Sequence, residues 1–294
     1  MGNLMVIDSE KLKISVSSRG GELQSIKTKD GREWLWQGDS KYWSDRSPNI
    51  FPYVGRLWNN QYILEGKTYP LTIHGFINEQ ELKVEKLNED NLVLTYDATD
   101  YSRERYPYNF KYYVEYQIIN NVLEITYRVK NLDTRPMYFG IGGHPGFNLP
   151  FEAGSDFEDH YIEFESGSKP IRVGFSSICF VNGEDEPFLL DEKGQLPLNH
   201  NLFDDDAIVL KECGNSAVLR SYKNEKAVKV VFPDMPYLGI WHRPKTDAPY
   251  VCIEPWSSLP SRHGEVPIFE EQSDLISLEP NGDYINKWSI EIIE

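Results

Sequence analysis

The apolar positions of this chain recur every second residue. Residues 11–17 alternate Lys, Leu, Lys, Ile, Ser, Val and Ser, and residues 123–130 repeat the pattern from Leu123 to Lys130. A period of two turns one face of a strand toward a core and the other toward water or a second layer. Turn residues punctuate these runs. Asp30-Gly31 separates residues 23–29 from 33–36, and Asn120-Asn121 separates residues 110–119 from 122–130. Asn and Gly tolerate the positive φ that short hairpin turns require, so both sites predict hairpins. Helical periodicity is weak, and residues 40–45 are the best candidate, about one turn.

Aromatic residues reinforce the strand reading. The chain carries 18 Tyr and 7 Trp, and Tyr112, Tyr113, Tyr116 and Tyr127 fall inside strand candidates, where flat side chains pack well on a pleated face. Gly and Pro are spread along the chain without a linker-like concentration, and no fixed-period repeat or low-complexity tract interrupts it. These patterns predict an all-β chain: one domain over residues 1–294, a large antiparallel β-sandwich with few short helices.

Composition narrows the partners. Of 294 residues, 40% are hydrophobic, enough for a large core, and the net charge is -16. Such acidity argues against nucleic acid, whose backbone requires clustered Lys and Arg. It suits a neutral small-molecule ligand. No apolar run is long enough to span a bilayer and the first residues lack a signal-peptide pattern, so no membrane partner and a cytoplasmic location are expected. Cys179, Cys213 and Cys252 are scattered and odd in number, which suggests neither a disulfide framework nor a zinc site. The sequence fixes no oligomeric state.

Five polar groups stand where strands end or loops begin. Arg56 lies in Asn49-Ile50-Phe51-Pro52-Tyr53-Val54-Gly55-Arg56-Leu57-Trp58-Asn59. Its guanidinium has the donors to hold sugar hydroxyls, although alone it reads better as a surface Arg packed over Trp58. His74 precedes Gly75 in Thr72-Ile73-His74-Gly75-Phe76, a setting in which an isolated His is more often structural than functional. His144 sits in Gly140-Ile141-Gly142-Gly143-His144-Pro145-Gly146-Phe147-Asn148. The glycines there allow close backbone approach and unusual dihedrals, and Pro145 pins the loop. An imidazole so held is a good candidate acid or base near neutral pH. Glu254 closes the apolar run Pro249-Tyr250-Val251-Cys252-Ile253-Glu254-Pro255-Trp256. A carboxylate at such a position needs partners, and burial would raise its proton affinity into the range of a useful base. Trp256 offers a flat face for a sugar. Asp206 ends an acidic triplet before the apolar run 207–210, which is most simply a solvated turn.

Taken in order, the stretches "NIFPYVGRLWNNQYILEGKTYPLTIHGF", "YFGIGGHPGFN", "LFDDDAIVL" and "YLGIWHRPKTDAPYVCIEPW" resemble the aldose 1-epimerase superfamily. Within it they resemble the galactose-mutarotase-like branch encoded beside bacterial lactose operons. The resemblance runs from about residue 47 to 256. It implies a galactose-mutarotase-like sandwich with a sugar cleft, catalysing anomer exchange of an aldohexose with no metal and no cofactor. It makes Glu254 the general base, His144 the general acid, and Arg56, His74 and Asp206 the sugar contacts. Leu57 after Arg56, and Phe76 after His74-Gly75, depart from galactose-specific relatives; these departures leave acid and base intact and the preferred sugar open. Two related outcomes stay open: a hexose-6-phosphate 1-epimerase, whose phosphate would fall to Arg103 and Arg105, or a carbohydrate-binding sandwich without catalysis. A metal-dependent hydrolase built on His74, His144 and Glu254 is a further rival. His160, His200, His242 and His263 read as loop or strand-end residues. The epimerase reading expects His144 to hold a proton beside a carboxylate, and Glu254 and His144 to face each other across a gap one pyranose wide.

Overall fold

The computed structural model describes residues 2–294. Two large antiparallel sheets dominate the fold. A nine-stranded sheet runs in the order Gln195–Pro197, His160–Phe164, Ser216–Ser221, Ala227–Val231, Asp283–Ile293, Val122–Asn131, Phe110–Ile119, Asn91–Asp97 and Lys83–Leu87. An eight-stranded sheet runs Glu186–Pro187, Ile171–Arg172, Ile208–Lys211, Tyr237–Trp241, Tyr250–Trp256, Gly142–Gly143 and Asn49–Ile50, with Gly146–Asn148 also paired to Tyr250–Trp256. A three-stranded sheet of Leu4–Asp8, Leu12–Ser17 and Leu23–Thr28 flanks them.

The period-two pattern explains how the two sheets face each other. In Val122–Asn131 the buried positions alternate, and Leu123, Ile125, Tyr127 and Val129 enter the main core. Leu238, Ile240, Val251 and Ile253 enter the same core from the eight-stranded sheet. Each fully buried large apolar side chain is worth about 1.5–3 kcal/mol, so this shared layer holds the sandwich together. The second face of the eight-stranded sheet is also covered. All seven residues of Tyr250–Trp256 are buried. Val251 and Ile253 point to the main core, while Tyr250, Cys252 and Trp256 join two smaller apolar clusters. By the same alternation Glu254 lies on the outer face, with Cys252 and Trp256.

The Asn120-Asn121 hairpin forms as its sequence predicts. Phe110–Ile119 and Val122–Asn131 pair from Ile119↔Val122 to Phe110↔Asn131, and Asn120 takes φ 57°. The Asp30-Gly31 turn also forms, with Gly31 at φ 89°. Its return arm is not a strand: Glu33 makes one isolated bridge to Lys27, and Leu35 bridges to Phe147. Residues 40–45 make a single turn in which the Asp39 carbonyl accepts from the Tyr42 and Trp43 amides, both at 3.0 Å. The α-helix lies instead at Asp100–Arg103, where Thr99 and Ser102 cap each other reciprocally. Among the described residues no helix is long and apolar enough to cross a membrane.

Candidate active site

The segment carrying Arg56 is anchored first. Asn49 is buried, and its side-chain amide donates to the carbonyls of Gly20 and Gly21, both at 3.0 Å, while its oxygen accepts from Tyr127 at 2.7 Å. Such a satisfied core amide fixes the start of the segment. Further along, Phe51 and Gly75 form a parallel bridge that brings His74 beside Gly55. The Gly55 N–H donates to His74 Nδ1 at 3.2 Å, and the His74 N–H donates to the Gly55 carbonyl at 3.0 Å. With Nδ1 accepting, the neutral ring carries its proton on Nε2. Burial and the nearby Arg56 guanidinium lower the His74 pKa to about 4, so this imidazole is a neutral donor.

The backbone at His74-Gly75 is left-handed at both residues, with φ 62° and 78°. A Cβ at Gly75 would stand 2.2 Å from the Phe51 carbonyl oxygen. Gly75→Ala is therefore expected to lose at least about 2 kcal/mol of stability in urea denaturation, from strain and backbone collision together. Gly66 has a similar φ of 72° but open space around it, so Gly66→Ala is expected to lose only the dihedral share, about 1 kcal/mol.

Sheet register brings the acid–base candidates together. Gly142 pairs with Trp256 and Gly146 pairs with Cys252. The same register continued through the interruption sets His144 opposite Glu254, although 110 residues separate them in sequence. His144 Nε2 lies 3.2 Å from Glu254 Oε2. His144 is 8% exposed and Glu254 1%. The contact has hydrogen-bond length but not hydrogen-bond alignment: Glu254 Oε2 and His144 Nδ1 have no well-aligned protein partner. The glycines around His144 serve close approach alone. Gly140, Gly142, Gly143 and Gly146 keep ordinary negative φ, but a Cβ at Gly142 would meet the Pro255 carbonyl at 2.7 Å and one at Gly143 would meet Trp288 at 2.5 Å.

Burial works against the charges that the sequence leads one to expect on this pair. Burial raises the Glu254 pKa well above the usual carboxylate range, Asp206 adds to that shift, and the Trp256 indole partly offsets it. Burial lowers the His144 pKa well below its usual value, with His74 adding to the effect. Desolvation penalises both charges more than their mutual attraction restores. Burial thus favours the neutral form of both groups.

Arg56, His74, His144, Asp206 and Glu254 all line one cleft of about 520 Å³. Arg56 turns toward Asp206, with Nη2 to Oδ2 at 3.8 Å. Asp206 sits at φ 82° just before strand Ile208–Lys211 and accepts from Cys179 Sγ at 2.9 Å. The Cys179 thiol, pushed up to about 12 by burial and Asp206, stays a proton donor. Trp256 lines the cleft but is only 4% exposed. The half-buried Trp43 and Trp241 line it as well. Trp43 lies against the His144 ring at 4.8 Å between centroids, and Trp241 meets it edge-on at 5.6 Å. Trp43 has no sequence signal, because it stands in an irregular loop.

Other candidates lie elsewhere. Arg103 pairs with Asp100 and Arg105 stacks on Tyr101, and neither lines the cleft. His200 and His242 bond to each other at 3.1 Å and pack against Phe157, a structural pairing. Side-chain donors of His144, Cys252 and Glu254 lie within 4.8 Å of one another, close enough to converge on a metal ion. The Cys252 thiol is pushed well above its usual range by burial and Glu254.

A β-sandwich whose outer sheet face carries a buried imidazole–carboxyl pair in a sugar-sized cleft defines the class, and the chain belongs to the aldose 1-epimerase family, whose model matches residues 3–287. Within that family the chain is similar to the chromosomal and plasmid LacX proteins of Lactococcus lactis subsp. lactis. Each is 32% identical over 282 residues, covering 93% of this chain and 94% of the relative. A solved galactose mutarotase related enzyme from Lactobacillus acidophilus superposes with a TM-score of 0.94 at 32% identity, covering 99% of this chain and 98% of that one. A galactose mutarotase-like protein from Lactobacillus casei ATCC 334 superposes with a TM-score of 0.93 at 29% identity, covering 99% and 100%. A galactose mutarotase-like protein from Clostridium acetobutylicum shares the fold at 18% identity, with a TM-score of 0.77 and coverage of 99% and 95%.

Proposed function

We propose that this protein interconverts the α and β anomers of an uncharged aldohexose, with Glu254 and His144 moving the protons. The observation that carries the reading is the 3.2 Å contact between His144 Nε2 and Glu254 Oε2 on the cleft floor. Ring opening removes a proton from the C1 hydroxyl and delivers one to the ring oxygen. Those two oxygens are bonded to the same carbon, so an acid and a base that stand close together can serve both. The 3.2 Å contact takes the place of the pyranose-wide gap expected from the sequence. Adjacent groups at hydrogen-bond distance suit the chemistry better.

One proton is also the right inventory. The C1 hydroxyl, donating to Glu254, favours the carboxylate and drives the resident proton onto His144. His144 then protonates the ring oxygen as the C1–O bond breaks, and Glu254 takes the hydroxyl proton. The open-chain aldehyde turns about C1–C2. Closure on the other face returns the ring-oxygen proton to His144 and the Glu254 proton to O1. His74 Nε2–H and Arg56 hold hydroxyls, Asp206 accepts from one, and Trp43 and Trp241 border the ring.

Charge bears on the rivals. The cleft is lined by Arg56 and Arg243 against Asp45, Asp205 and Asp206, a poor balance for a phosphorylated sugar. A binding module without catalysis would have no use for a buried neutral acid beside a neutral base. The test is NMR anomer exchange over a panel of free and phosphorylated aldoses, with chelator present. Acceleration of free aldoses is expected, with kcat/KM flat around neutrality. Activity falls in acid as His144 protonates, well below its ordinary pKa of 6.5, and falls in alkali as Glu254 ionises, well above its ordinary 4.5. Exchange of phosphorylated sugars alone, or an acid limb centred at or above 6.5, would refute this reading.

A further inference from the structure

The loop that carries His144 rests on the segment before Asn49. Gly142 and Gly143 pair with Ile50 and Asn49. Beyond that pairing the contact continues through the backbone. The His144 amide donates to the Pro48 carbonyl at 3.2 Å, and the Gly146 amide donates to the Arg46 carbonyl at 2.9 Å. Toward strand Tyr250–Trp256 the loop pairs at Gly142 and Gly146, on either side of His144, so Pro48 receives the one amide that belongs to His144 itself. The same segment lends Trp43, Asp45 and Pro48 to the cleft wall. Residues 46–48 lie outside any strand, so no ladder of their own fixes them.

Glu22 holds that segment from the far side. It ends the turn between strands Leu12–Ser17 and Leu23–Thr28, where its carbonyl accepts from the Ser17 amide at 2.8 Å. Its Oε1 accepts from the Arg46 amide at 2.8 Å and from the Ser47 amide at 3.1 Å. Its Oε2 accepts from Gln24 Nε2 at 2.8 Å, and Gln24 Oε1 accepts from Arg46 Nη1 at 3.0 Å. Ser47 is buried, so losing the carboxylate leaves its amide without a partner, at a cost that favours rearrangement of the segment. On the reading that His144 moves protons at C1, we propose that Glu22 is a positioning residue for His144, acting through the backbone of residues 46–48. Glu254 stands in a strand that also pairs with Tyr237–Trp241, so loosening residues 46–48 displaces the imidazole relative to a carboxyl that stays in place. Proton transfer tolerates little of this, since a shift of about 1 Å can cost about 10²-fold in rate.

NMR anomer exchange and imidazole NMR spectra test the role. Glu22→Ala is expected to lower kcat about tenfold and to change KM by less than about threefold, because Arg56, His74 and Asp206 hold the sugar from other positions. Glu22→Gln keeps an oxygen for both amides and gives up only the Gln24 bond, so its kcat should stay within about threefold of the parent. Glu22→Asp draws the oxygens back by one methylene and should fall between the two. In the His144→Gln background, Glu22→Ala should cost less than about twofold, because its effect runs through an imidazole already removed. The His144 ring resonances should shift in Glu22→Ala and return in Glu22→Gln, with those of the His200–His242 pair unmoved. Equal losses in both backgrounds, an unchanged kcat in Glu22→Ala, or unmoved His144 resonances overturn the role and leave anomer exchange standing. If the parent exchanges no aldose, the epimerase reading falls, and the resonances alone decide whether Glu22 positions His144.

Discussion

Glu254→Gln is expected to lower kcat for anomer exchange by about 10²–10⁴, because a positioned proton acceptor contributes on that scale. The amide keeps the shape and hydrogen-bonding reach of the carboxyl but takes up no proton. The same substitution carries a stability signature that does not depend on the substrate. On the proposed reading the folded pair holds one proton at neutral pH, as the raised Glu254 and lowered His144 favour. In the unfolded chain Glu ionises above about 4.5 and His above about 6.5. Above pH 6.5 folding therefore takes up a proton, and stability falls by about 1.4 kcal/mol per pH unit for a full proton until the raised Glu254 pKa is reached. In the variant this uptake is gone, because the lowered His144 pKa comes from burial and His74 and not from Glu254. Denaturation midpoints of variant and parent should diverge in the variant's favour from pH 4.5 upward. Full activity in Glu254→Gln removes Glu254 from proton transfer. Parallel stability curves would show that Glu254 is ionised in the folded protein.

His144→Gln is expected to lower kcat by a similar 10²–10⁴ with a much smaller change in KM. Its loss falls on proton delivery to the ring oxygen, while Arg56, His74 and Asp206 still line the cleft. Because the pair acts as one unit on one proton, Glu254→Gln and His144→Gln together should cost little more than the larger single loss. Strict multiplication of the two losses in NMR exchange rates would mean that they act in separate steps.

Both expectations rest on a contact that residue types suggest and only folding creates. Glu254 stands out in the sequence as an acid closing an apolar strand, and His144 as an imidazole pinned by Pro145 among glycines. The ordered motifs resemble the family to which the chain belongs, and all five residues they single out line one cleft. Local signals carry less elsewhere. The Asn120-Asn121 hairpin is legible because its two arms pair with each other through an intervening turn. The arm after Asp30-Gly31 is not, because Leu35 bridges to Phe147, far along the chain. Trp43 beside His144 gives no signal, since an aromatic in an irregular loop looks the same whether it covers a site or faces water.

Side-chain alternation and turn residues determined the all-β sandwich, because each depends on neighbours a few residues away. They also determined that Glu254 sits in an otherwise apolar strand. Tertiary structure decided on which face it lies, which imidazole stands against it and where the proton rests. Those are matters of register and desolvation. The pairing of Gly142 with Trp256 and Gly146 with Cys252 sets His144 opposite Glu254, 110 residues further along the chain, and the burial that follows disfavours the charges that the bare residue types imply.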